Sequence, residues 1–128
     1  MKTIPGIVGP HANRRDILVA FAHICAARAA CNARVAERTA CAEDYTAVNN
    51  LALRATRAAV CVQDATTDVL AIHYASEAAR YAVETARAFY ALHLGQSGGD
   101  SVARGEHARQ IEELCAFLRK ETGSVPCP

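Results

Sequence analysis

The chain has 128 residues, of which 52% are hydrophobic but only 5% aromatic, and its formal net charge is +1. That length fits one domain with a real buried core, and much of the apolar content is alanine, the best helix former and the smallest core residue. Acids and bases are mixed along the chain, which argues against a nucleic-acid footprint or a charged membrane-binding patch, and no apolar run approaches the roughly 20 residues that span a bilayer.

Residues 1–12 read as a lead-in segment. Met1–Pro10 contains Pro5, Gly6, Gly9 and Pro10 and lacks the apolar stretch of a secretory signal, which predicts a cytoplasmic protein. Asn13 is the expected N-cap of a first helix over 13–42. Glu43-Asp44 reads as a turn into a second helix over 45–74, and Tyr74 to Ser76 as a turn into a third over 76–94. Gly95–Asp100 reads as a loop, Asp100 or Ser101 as the cap of a fourth helix over 102–121, and Gly123 with Pro126 as its stop, with 123–128 a tail. Apolar residues recur at alternating steps of three and four in each helix, the seam of a bundle. The rows are Ile17, Ala20, Ile24, Ala27, Cys31, then Arg34, Arg38 and Cys41; Val48, Leu51, Ala55, Ala58, Val62, Ala65, Val69, Ile72; Ala79, Ala82, Ala86, Phe89, His93; and Ala108, Ile111, Cys115, Leu118. With no strand-like alternation, the expectation is an all-α, antiparallel up-down-up-down four-helix bundle over 13–122.

The six cysteines (25, 31, 41, 61, 115, 127) contain no CxxC pair, so no zinc ribbon or thioredoxin-type site is indicated. In a reducing compartment they read as free thiols or metal ligands. The row Ala82, Ala86, Phe89, His93, the row His107, Ala108, Ile111, Cys115, Leu118, the stretch Cys41-Ala42-Glu43-Asp44 and the stretch Asp64–Leu70 together resemble the cysteine-rich four-helix-bundle copper-binding proteins, which include the copper storage proteins. The resemblance is diffuse and spans about residues 17–121. In that family these rows carry inward thiols that hold Cu(I), a soft ion on soft ligands. Here most of those positions hold other residues, and no two cysteines stand four apart on one helical face. The resemblance therefore implies a low-capacity copper(I) protein that has lost bulk storage.

An up-down-up-down bundle brings its first turn and its third loop to one end. Cys41, His93 and His107 are expected there as a metal site, one thiol and two imidazoles being a reasonable first shell for copper or zinc. The competing reading is that these are polar residues meeting water beside loops. Arg34 and Arg38 fall on the inner row of the first helix toward the same end. Turned inward, they make with Tyr90 a polar pocket for a carboxylate or phosphate. If the helix is rotated to use Val35 instead, both reach solvent. Cys31 with Cys115, and Cys25 with Cys61, are secondary thiol candidates, against the reading that they pack as small hydrophobes. Cys127 reads as an exposed tail thiol, His11 as an exposed lead-in residue, and His23 and His73 lie toward the opposite end.

Three functions follow. The first is low-capacity copper binding. The second is a small enzyme or ligand-binding bundle that reuses the emptied interior as a pocket for a small molecule, an anion among the candidates, with His93, His107, Cys41 or an arginine to bind or act on it, histidine being the usual acid/base near neutral pH; a cavity near the end holding the first turn and third loop would mark it. The third is an interaction module that pairs with itself or another protein through Phe21, Val83, Leu94 and Phe117. The expected partners are thus a metal ion or small molecule and a second copy of the chain, with no nucleic acid and no membrane.

Overall fold

A computed structural model describes residues 13–122. Three mutually packed helices form an all-α bundle: α1, Arg14–Thr39; α2, Ala42–Asp64; and α3, Asp68–Thr122. The Asn13 side chain accepts from the Asp16 amide at 2.9 Å, so the first helix starts as its cap requires. It ends earlier than expected, at Thr39, and Glu43 and Asp44 lie inside the first turn of α2, where their charge complements the helix dipole.

The break after α2 also moves. Ala65 takes an extended conformation (φ −63°, ψ 135°), and the Thr67 hydroxyl accepts from the Leu70 amide at 3.2 Å to open α3. Tyr74 to Ser76 are helical rather than a turn. The row that reads smoothly from Val62 to Val69 and Ile72 is therefore cut. Val69 is 76% exposed, Ile72 54%, and Ala71, Ala75, Ala78 and Ala82 take the core positions of α3. Arg15 ties this junction to α1 by donating to the Ala65 carbonyl (2.8 Å) and to Asp68 (3.1 Å).

The expected loop at Gly95–Asp100 shrinks to one residue. Only Gly95 leaves helical geometry inside α3 (φ 76°, ψ 175°), so four separate helices become three, the last sharply bent. Its two arms, 68–94 and 96–122, fold back on each other. Gln110 donates to the Ala79 carbonyl at 3.0 Å, and Arg87 meets Asp100 at 3.1 Å. At Gly99 the arms come so close that a Cβ would sit 2.7 Å from the Arg87 carbonyl oxygen.

Small residues make most of the core: Ala20, Ala22, Ala29, Ala33 and Ala36 from α1, Ala52, Ala55 and Ala59 from α2, with Val48, Val62, Phe21, Phe89 and Phe117 as the larger units. By length and composition α1 is also apolar enough to cross a membrane, with an 18-residue window of mean hydropathy 1.3. Half of that window is buried in the bundle.

Candidate functional site

The second arm of α3 does not use its apolar row. Ala108, Ile111 and Leu118 face solvent and Cys115 is half-buried, while Ala103, Gln110 and Phe117 are buried. The arm is rotated because its inward side carries polar groups that have a partner. Glu106, Gln110 and Glu113 succeed one another at steps of four and three, so they share one helical face. Opposite them on α1 stands Arg28.

Arg28 satisfies both carboxylates. Its Nε and Nη2 donate to Glu106 at 2.8 and 2.7 Å, and its Nη1 and Nη2 donate to Glu113 at 2.6 and 2.8 Å. Gln110 donates to the same Glu106 oxygen at 2.7 Å as well as to Ala79. Burial works against the guanidinium charge, but the hydrogen bonds and attraction of the two glutamates outweigh it and raise the pKa above the usual arginine value. The Cys25 thiol lies in the same field. Burial pushes its pKa up to about 12, with Arg28 opposing and the two glutamates adding to the rise.

Beside this ion triad, α1 and the two arms of α3 leave a cleft of about 500 Å³. Arg28, Cys31 and Asn32 line it from α1, Ala86 and Tyr90 from the first arm, and Val102, Gly105, Glu106 and Arg109 from the second. The Arg34 Nη2 donates to the Cys31 sulfur at 3.1 Å, beside this wall. Arg109 lies 3.8 Å from a Glu113 oxygen that already accepts from Arg28, and its side chain is 63% exposed. Gly105 has helical backbone geometry, and nothing lies within 4 Å of where its Cβ would stand.

The residues expected to bind metal are all exposed. Cys41 is the N-cap of α2, is exposed, and makes no side-chain cap bond. His93 is exposed two residues before the bend, its ring 5.0 Å from and edge-on to that of Phe89. His107 lies about three turns beyond the bend, exposed, and borders a groove with Ser76, Ala79 and Gln110. Among the described residues no group of three His, Cys, Asp or Glu side chains that could hold a metal ion is found.

Arg34 and Arg38 both reach solvent. The helix is rotated as the alternative required, although Ala29, Ala33 and Ala36, not Val35, fill the core face. Tyr90 lines the cleft, whereas Arg34 borders a separate, smaller cavity of about 140 Å³ between α1 and α2 with Glu37, Tyr45 and Asn49. Cys31 is exposed on the cleft wall, Cys115 and Cys61 are half-buried, and Cys25 is buried; all four are free thiols. His23 is half-buried with Nε2 lacking a partner among the described residues, and His73 is exposed, 3.9 Å from Glu77. Phe21 and Phe117, expected on a surface stripe, are buried core residues. His11 and Cys127 lie outside the described residues.

Comparison with protein families, with curated proteins and with solved structures found no match to this chain.

Proposed function

We propose that this protein is a small-molecule-binding helical bundle whose ligand sits in the cleft between α1 and the two arms of α3. In this reading the arms serve as the third and fourth helices of an up-down-up-down arrangement, with the cleft in the half nearer the α1–α2 turn. The observation that carries it is the cleft itself. It has the volume usual for ligand pockets, an apolar floor of Ala86 and Val102, and a few fixed polar groups around it. Beside it, Arg28 joins the second arm to α1 through four hydrogen bonds to Glu106 and Glu113. Preorganised walls reduce the ordering cost of binding.

The test is a fragment panel of neutral, cationic and anionic members, followed by two-dimensional NMR on wild type and on Gly105→Leu. Binding in the cleft shifts the amides of Ala86, Val102 and Gly105, and the leucine variant loses the response. A panel in which no member moves those amides would sink the reading. Titration of reduced protein with Cu(I) addresses the copper expectation directly: uptake of about one ion per chain would restore metal binding as the first function.

A further inference from the structure

A second concave surface of the bundle is lined by apolar side chains that residues 13–122 leave uncovered. Its first half, about 250 Å³, lies between Leu18 and Phe21 of α1, Ile72 of the first arm and Ile111 of the second. A hollow of about 350 Å³ continues it toward Val83 and Glu84, and the two share Ser76, Ala79, His107 and Gln110. None of these residues lines the cleft, so this groove is a separate surface. Ile72 is 54% and Ile111 48% exposed, and Val69, about one turn before Ile72, is exposed as well. Exposed apolar side chains that adjoin in this way mark a contact surface.

The 12 residues that precede Asn13 lead into the mouth of this groove. Asn13 caps α1, and Arg15, two residues on, is paired with Asp68, one helical turn from Ile72. In sequence, Met1–Ala12 carries Ile4, Ile7 and Val8 and no acidic residue. Pro5 and Pro10 disfavour helix and favour extended backbone at the residue before each, and Gly9-Pro10 is a turn-forming pair that suits a chain reversing to run back along the bundle. The lengths agree. Lys2 to Val8, extended, spans about 20 Å, and the groove runs about 18 Å along the first arm from Ile72 to Glu84.

We propose that Lys2–Val8 lies along this groove as a strap. Ile4, Ile7 and Val8 cover the apolar side chains between the arms, and Lys2 reaches the Glu84 carboxylate at the far rim. Tethering favours this occupant over any other. Joined to α1 at Asn13, the segment meets the groove at the millimolar effective concentration of a short linker, which a second copy or a separate partner at micromolar concentration does not match.

The chain has six isoleucines, at positions 4, 7, 17, 24, 72 and 111, so labelling isoleucine δ1 methyls of the full chain reads strap and groove in one NMR spectrum. The expected result is nuclear Overhauser contacts from Ile4 or Ile7 to Ile72 or Ile111, unchanged on dilution. Ile4→Asp combined with Ile7→Asp removes those contacts and shifts the Ile72 and Ile111 signals. It also raises the fluorescence of a dye for apolar surface severalfold, while helical circular dichroism stays at the wild-type value. Ile72 and Ile111 signals that do not move in the double variant would overturn the proposal. Contacts that appear only between differently labelled chains in a mixed sample would overturn it as well, and would assign the groove to a second copy.

Discussion

Arg28 is the residue on which the second arm's orientation depends. With Glu106 10% and Glu113 23% exposed, removing the guanidinium leaves two carboxylates side by side without their partner. Arg28→Met is expected to cost about 3 kcal/mol in urea unfolding, near the low end for breaking a buried pair because the triad is partly solvated. Adding Glu106→Gln and Glu113→Gln to that variant should recover much of the loss. The sequence carried a signal for the site's first half that the three-four rows passed over: Arg28 is the one charged residue between Asp16 and Arg34, in an otherwise apolar stretch. Its partners were not, since they lie 78 and 85 residues away and a glutamate on an inner face looks like any exposed glutamate in a linear pattern. Cys25 makes a second residue-scale prediction. The unfolded chain gives up this proton above about pH 9, whereas the folded chain holds it to about pH 12. The folded state therefore binds more protons in that window, and stability falls as pH rises through it. Between pH 8 and 10, wild type should lose about 1 kcal/mol more than Cys25→Ala in urea unfolding.

At the scale of elements, the bend at Gly95 decides whether α3 is two arms or one rod. Its φ and ψ lie in a region essentially restricted to glycine, where another residue costs about 1–3 kcal/mol. Gly95→Ala is therefore expected either to destabilise the folded-back monomer by that amount or to straighten α3. A straightened α3 can only bury its second arm against another copy, which gives a swapped dimer, and size-exclusion chromatography over a concentration series distinguishes the two outcomes. The helical class and the position of this reversal were legible from composition and from Gly95. The phases of the helices were not. Alanine stands on every face of α1, so the row through Ala27 and Cys31 fitted the three-four rhythm as well as the true core face through Ala29, Ala33 and Ala36. The α2–α3 break contains neither glycine nor proline, and only the Thr67 hydroxyl cap and Asp68 mark it.

For the whole molecule, cleft and stability are linked through Gly105. Substituting leucine there replaces a poor helix former with a good one and fills open space, so the variant is expected to be more stable than wild type by about 0.5–1 kcal/mol in the absence of ligand. A ligand that binds only the folded state stabilises it by mass action, about 2.7 kcal/mol at a hundredfold excess over its dissociation constant. The two effects cross. Without ligand, Gly105→Leu melts above wild type; as a cleft ligand is raised, wild type climbs and overtakes it while the variant stays level. A thermal series at increasing ligand concentration reads this directly. Parallel rise of both proteins would mean that the ligand binds elsewhere, for instance in the groove bordered by Leu18, Phe21 and the exposed Ile72 and Ile111. A Gly105→Leu protein less stable than wild type from the outset would mean that the open space is already committed to packing, and that the helix retains glycine for the fold itself.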